Sequence, residues 1–180
     1  MLILVTGGSG SGKSEFAESL VLQLHTKPYL YIATMYPFDE ECHQRIRRHR
    51  AMRREKEFDT LECYTNLAGA DVRGFGTVLL ECMSNLTANE MYQESGAGDQ
   101  CVEAILAGVK KAAASCENLI IVSNEIFSDG IDYDEETKRY QRYLGRINQE
   151  IAKAADLVAE VVYSIPVVHK GSLKGVTEKS

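Results

Sequence analysis

The sequence predicts an α/β fold with a mostly parallel sheet covered by helices on both faces. Three observations lead there. Short apolar, β-rich runs recur at Leu2–Val5, Tyr29–Ala33, Thr77–Glu81, Leu119–Ser123 and Leu157–Tyr163. Segments of helical periodicity or composition separate most of them, and strand–helix alternation is the pattern of β-α crossover units. The composition, 44% hydrophobic and 26% charged over 180 residues, is that of a folded chain able to bury one core.

Leu2–Val5 runs into Thr-Gly-Gly and so reads as a buried strand breaking into a loop. From Ser14 to His25, Phe16, Ala17, Leu20, Val21 and Leu24 recur at helical spacing. Tyr29–Ala33 is the second strand, and a charged, helix-compatible segment follows from Asp39 to about Arg54. Thr77–Glu81 is a third buried strand closed by an acid. The polar, Gly-containing stretch Asn89–Asp99 reads as a loop. Cys101–Cys116 is an Ala-rich helix, Leu119–Ser123 a fourth strand, Glu135–Ala154 a long amphipathic helix and Leu157–Tyr163 a fifth strand. The tail after Lys170 is polar and reads as mobile. No repeat or linker interrupts the chain, so residues 1–180 are expected to form a single nucleotide-binding domain.

Composition also excludes. A formal charge of −6 repels a polyphosphate backbone and argues against bulk nucleic-acid binding. Positive charge is concentrated from Arg45 to Lys56, where a small anion is the natural partner. The five cysteines form no C-x-x-C pair, so free thiols in a reducing cytoplasm are expected. The N-terminus shows no basic leader or cleavage pattern, and no apolar run approaches the ~20 residues that cross a bilayer.

Gly7-Gly8-Ser9-Gly10-Ser11-Gly12-Lys13-Ser14 satisfies G-x-x-x-x-G-K-[ST], with a strand before it and an amphipathic helix after it. Glycines let the backbone curl so that several N–H groups face the phosphates, and the helix that begins near Lys13 adds its positive end. Lys13 is expected on the β- and γ-phosphates and the Ser14 hydroxyl on Mg²⁺. Glu81, at a strand end, is the candidate acid facing the metal. The motif calls for GTP or ATP without choosing between them.

In the basic segment, a helix would align Arg45, His49 and Arg53 on one face. Like charges at that spacing repel, so anions would relieve them. The same cations disfavour protonation of His49 and leave a ring nitrogen free to attack phosphorus. Spacing alone fits a solvated charged helix with a bystander histidine better, and it does not separate His49 from His43. His25 ends a helix, His169 shows no partner in sequence, and Tyr133, Tyr140 and Tyr143 read as packing.

Taken together, the blocks resemble the adenosylcobinamide kinase/adenosylcobinamide-phosphate guanylyltransferase family of cobalamin biosynthesis. The blocks that carry the likeness are the phosphate loop, Leu30-Tyr31-Ile32-Ala33-Thr34, Arg45-Ile46-x-x-His49-Arg50-x-x-Arg53, Thr60-x-Glu62, and Val78-Leu79-Leu80-Glu81-Cys82 with Leu86-Thr87-x-Asn89. Val122-Ser123-Asn124-Glu125, Gly130-Ile131, Gly145-x-x-Asn148-Gln149 and Ala152-x-x-Ala155-Asp156-x-Val158 continue it, in order, to about Lys170. The resemblance implies a RecA-like P-loop NTPase sheet and a homotrimer. It implies ATP- or GTP-dependent phosphorylation of adenosylcobinamide, then attack by a histidine on the α-phosphate of GTP and transfer of GMP to adenosylcobinamide phosphate. It selects His49 as the nucleophile and Gly7 to Ser14, Ile32, Ala33, Thr34, Arg50, Ala51, Met52, Arg53, Glu62 and Glu81 as nucleotide contacts.

Departures from the family pattern are Gly10 where Arg is usual, Glu81 where Asp is usual, Phe58 near a usual Trp, and Asp132-Tyr133 where Val-Pro is usual. Two other readings share the loop: a simple small-molecule kinase without a covalent intermediate, and a non-catalytic nucleotide-dependent switch.

Overall fold

The computed structural model describes residues 1–38, 44, 46, 47, 56–127, 130 and 132–177. Its elements are β1 (Leu2–Gly7), α1 (Lys13–Leu24), β2 (Tyr29–Ala33), β3 (Phe58–Glu62), β4 (Thr77–Glu81), α2 (Met83–Tyr92), α3 (Cys101–Ser115), β5 (Asn118–Asn124), α4 (Glu135–Ala154), β6 (Leu157–Val162), β7 (Ile165–Lys170) and α5 (Lys174–Thr177). The strands form one seven-stranded sheet in the order β3-β2-β4-β5-β1-β6-β7. All neighbours are parallel except β6 and β7.

Strand alternation sends successive side chains to opposite faces, and each face finds its own helices. Leu2, Leu4, Leu30, Ile32, Val78, Leu80, Leu119 and Ile121 pack on one side with residues of α2, α3 and α4. Ile3, Val5, Tyr29, Tyr31, Leu79, Ile120 and Val122 pack on the other with Ala17, Leu20, Val21 and Leu24 of α1 and Val176 of α5. The central strands are buried on both faces, which is why they read as unbroken apolar runs.

The ends of α4 fall where its sequence puts them. Asp134 caps it by accepting from the Thr137 amide, Glu135 and Glu136 occupy the first turn and Lys153 the last. Only Leu144, Ile147 and Ile151 of α4 are buried, one stripe of a charged helix.

Four expectations need correction. Asn89–Asp99 is not a loop throughout, because α2 continues to Tyr92. Its Ser84, Thr87, Asn89 and Glu90 are buried; Ser84, Asn89 and Glu90 find partners outside the helix, and the Thr87 hydroxyl donates to Met83 O one turn back. Two strands were not expected: β3, a half-exposed segment beyond β2, and β7, an exposed strand at the opposite edge that accommodates Pro166. The tail after Lys170 folds back as α5, with Val176 buried against the α1 face. The helix expected from Asp39 to Arg54 lies largely outside the described residues; Gln44, Ile46 and Arg47 within it are helical.

Candidate active site

Four of the parallel strands, β1, β5, β4 and β2, deliver their C-terminal ends to one edge, with β3 beside them. There Gly7 pairs with Asn124, and Ala33 pairs with Glu81 on one side and Glu62 on the other. The phosphate loop bridges β1 to α1 at this edge. Gly12 has φ +89 and directly precedes the helix; a Cβ there would sit 2.7 Å from Ser164 Oγ. Ser164, in the β6–β7 turn, donates its amide to Ser11 O at 2.8 Å, so the hairpin holds the loop from behind. The alternating hydrophobic pattern gave no sign of that brace.

Lys13 is buried, and its Nζ donates to Gly8 O at 2.9 Å across the loop. Burial pulls its pKa below the ordinary lysine value, while Cys82 and Glu81 pull it back up. Phosphate oxygens at that ammonium would replace the water it has lost. Beside it, the Ser14 hydroxyl donates to Glu81 Oε1, and the Tyr31 hydroxyl donates to Glu81 Oε2 at 3.1 Å. Two hard oxygen donors from α1 and β4 therefore meet at one point. That donor chemistry fits Mg²⁺. Among the described residues, no cluster of three or more His, Cys, Asp or Glu side chains could hold a metal without other ligands.

The β2 end is a clamp. Thr34 is fully buried; its hydroxyl donates to Cys82 O at 2.8 Å and accepts from the Cys82 amide at 2.7 Å. Its amide donates to Glu81 O at 3.1 Å, and Asn89 Nδ2 donates to its carbonyl at 2.8 Å. Ile32 is a core side chain, and the Ala33 carbonyl accepts from the Cys63 amide at 2.9 Å. Thr34 thus locks the β2 and β4 ends together and fixes the backbone that carries Glu81. Glu62 lies exposed at the β3 end, where the Tyr64 hydroxyl donates to it at 2.8 Å. The loop residues, Thr34, Glu62 and Glu81 are brought to one edge. His49, Arg50, Ala51, Met52 and Arg53, with Arg45 and His43, lie outside the described residues.

Tyr31 and Asn89 are the supporting residues that sequence reasoning missed, although both lie in blocks it singled out. Other blocks prove architectural: Ser123 donates to Asn148 Oδ1 at 2.8 Å, tying β5 to α4, and the Leu2 amide donates to Asp156 at 2.8 Å. His169 does find a partner, Glu160 across the β6–β7 pair at 3.0 Å. Tyr140 and Tyr143 pack against the core, as expected.

A sequence profile for cobinamide kinase/cobinamide phosphate guanyltransferase matches residues 3–168. The chain belongs to that family. It is similar to the bifunctional adenosylcobalamin biosynthesis protein CobU of Escherichia coli (34% identity; 93% of this chain and 98% of the relative) and of Salmonella typhimurium (32%; 93% and 98%). It is 30% identical to the Pseudomonas aeruginosa protein CobP over 93% of this chain and 96% of that one. Among solved structures it resembles the flagellar accessory protein FlaH from Methanocaldococcus jannaschii, at TM-score 0.56 and 15% identity over 98% of this chain and 80% of that one. An ATPase of a bacterial type III secretion system superposes equally well, at TM-score 0.56 and 10% identity over 98% and 60%. The sheet is of the RecA-like P-loop type, and the chain is a bifunctional kinase and guanylyltransferase of cobalamin biosynthesis. No helix among the described residues is long and apolar enough to cross a membrane.

Proposed function

We propose that this chain runs both transfers at the strand-end corner through one triphosphate seat, with His49 as a covalent carrier of GMP. The observation that carries the reading is the meeting of Lys13, Ser14 and Glu81 at the phosphate loop of a chain in this family. In the kinase step, the loop amides and Lys13 hold the triphosphate and stabilise charge on the transferred γ-phosphoryl group. Ser14 and Glu81 would hold Mg²⁺, which neutralises charge between the β- and γ-phosphates. The phosphoryl group passes to the aminopropanol hydroxyl of adenosylcobinamide.

In the second step, a neutral ring nitrogen of His49 attacks the α-phosphorus of GTP. A P–N bond forms, the bond to the bridging oxygen breaks, and pyrophosphate leaves with that electron pair. A phosphate oxygen of adenosylcobinamide phosphate then attacks the same phosphorus. The P–N bond breaks and adenosylcobinamide-GDP departs, leaving a free imidazole. Dividing the transfer this way gives two steps that the same cations can assist in turn, and pyrophosphate has left before the acceptor phosphate attacks. Arg50 and Arg53 supply cations to the departing pyrophosphate, and Glu62, with the Ile32–Thr34 backbone and the Ala51–Met52 segment, lines the nucleotide seat. The family resemblance supports these placements, a homotrimeric assembly and a single domain spanning 1–180. Cysteines without metal or pairing spacing support a cytoplasmic location.

Intact-mass measurement after incubation with GTP and Mg²⁺ tests the route. One added GMP, labile to acid and stable to base, is expected on the parent chain and absent from His49→Ala. The variant should still bind GTP. Guanylyl transfer retained by His49→Ala would remove the histidine from the mechanism and leave a simple kinase.

A further inference from the structure

A second feature of the same edge lies two strands from the phosphate corner, beyond β2. Tyr36, Phe38 and Tyr64 form a contiguous aromatic shelf. The Tyr36 and Phe38 ring centroids are 4.7 Å apart and tilted, and those of Tyr36 and Tyr64 are 5.1 Å apart, edge to face. Phe38 is 72% exposed and Tyr36 38% exposed. Aromatic surface held open to water beside an active edge is surface that a ligand can cover.

The shelf borders two adjoining cavities of about 630 and 450 Å³, which share Tyr36, Gln93 and Ser95. Behind the rings Thr65, Asn66, Gln93 and Ser95 present hydroxyl and carboxamide groups. The Gln93 Nε2 is buried and has no acceptor among the described residues. A buried donor without a partner is costly, and a ligand carbonyl would satisfy it. The charged groups lining these cavities are acidic, Glu62, Asp71 and Glu94, with no lysine or arginine among the described lining residues.

One carboxylate ties together the backbone that makes the floor. Glu90 reaches across to accept from the Asn66 amide at 2.6 Å and from the Ala97 amide at 2.9 Å. The position is also suitable for delivery. Glu62, Ala33 and Glu81 lie side by side on three adjacent strands, so the cavity mouth and the metal-facing acid are about 10 Å apart at ordinary strand spacing.

We propose that this shelf and the cavity behind Gln93 are the seat of the corrinoid substrate. The inference rests on the family's reaction, which requires a corrinoid acceptor. A corrinoid is a broad, flat macrocycle rimmed with carboxamide arms. Its face covers the Tyr36–Phe38 rings, one carboxamide oxygen accepts from Gln93, and the aminopropanol arm extends along the edge toward Lys13 and Glu81.

Equilibrium dialysis with cobinamide, without nucleotide, tests the seat, and GMP loading from GTP alone tests the proposed chemistry separately. Phe38→Ala and Tyr36→Ala should each weaken cobinamide binding about tenfold, the scale of a lost aromatic contact. Phe38→Trp, which keeps an aromatic face in a chain that has no tryptophan, should restore binding and show emission quenched saturably by cobinamide. Gln93→Leu should weaken binding while leaving the fold intact, because it removes an unpaired buried donor. GMP loading, in which the corrinoid takes no part, should be the same in all four. Unchanged cobinamide binding in both alanine variants overturns the assignment. So does a change of assembly mass in Phe38→Ala, which would make the shelf a contact between copies of the chain. A parent chain that binds cobinamide at the shelf but is never loaded with GMP would refute the histidine route and leave the seat standing.

Discussion

At Glu81 the consequences of a single side chain can be followed to a rate. Both of its carboxylate oxygens are held, one by the Ser14 hydroxyl and one by Tyr31, and Thr34 fixes its backbone from the neighbouring strand. On the proposed reading, a carboxylate held in this way is already directed toward the metal-bound triphosphate. Glu81→Gln keeps the size and the possible hydrogen bonds but removes the charge. Phosphoryl transfer to adenosylcobinamide at saturating Mg²⁺ should fall about 10²–10³-fold, with triphosphate binding at Lys13 retained. Full turnover by that variant in a coupled assay would remove Glu81 from the metal site. Gly10 offers the opposite experiment. Its φ is +71 and no heavy atom lies within 4 Å of where a Cβ would be, so a side chain fits in space but not in backbone preference. Gly10→Arg should cost about 1–2 kcal/mol of stability through the left-handed conformation and add a cation beside the phosphates. Tighter GTP binding by titration, with a melting temperature lower by about 2–8 °C, is the expected pair of results. An unchanged affinity would mean the guanidinium does not reach the phosphates.

At the scale of elements, what holds a segment decides whether its sequence reveals it. Short α5 has four residues, and its Val176 is deeply buried. Isolated, it would not be helical; its packing against the layer that contains α1 holds it. Val176→Ala should therefore lower stability by about 1–3 kcal/mol, seen as a shift of the urea midpoint without a change in slope. A variant as stable as the parent would show that α5 adds nothing. The same reasoning separates what sequence could show from what it could not. Strands β2 and β4 and helix α4 were legible because their own residues carry the signal: unbroken apolar runs in one case, Asp134 and a single stripe of Leu144, Ile147 and Ile151 in the other. Helix α2 was not read from the sequence, because its buried polar residues Asn89 and Glu90 are held by partners outside the helix, Thr34 for Asn89 and Asn66 and Ala97 for Glu90. Strands β3 and β7 flank the sheet, are half-exposed or exposed, and lack the apolar pattern that marks its middle. The phosphate loop could be read directly, since its spacing is set by the ligand. Tyr31 on Glu81 and Ser164 behind Ser11 could not, since each depends on strand order.

Across the whole molecule, the cysteines report on how the fold is closed. Cys63 and Cys101 lie in the core layer made with α2, α3 and α4, Cys116 packs against that layer, and Cys82 lies in the opposite one. Burial is the largest cause pushing Cys63, Cys101 and Cys116 up to about 11, with Glu90 adding to the first two. Burial also raises Cys82 above the ordinary thiol value. The thiolate is the reactive form, so at pH 8 only about one in a thousand of the first three is reactive even when reached. These four should resist iodoacetamide in the native chain and react promptly in urea. The linkage has a definite sign. A thiol whose folded pKa lies above its unfolded value near 9 favours the folded state fully below pH 9, and that contribution is lost as pH rises through about 11. Urea midpoints should hold steady from pH 7 to 8.5 and then fall. Cys63→Ala should lose less between pH 9 and 11 than the parent does, since it has no thiol left to ionise on unfolding. Equal alkaline losses in the two proteins, or rapid labelling of Cys63 in a chain that is otherwise native by circular dichroism, would mean that the layer over the sheet opens to water far more readily than its packing implies.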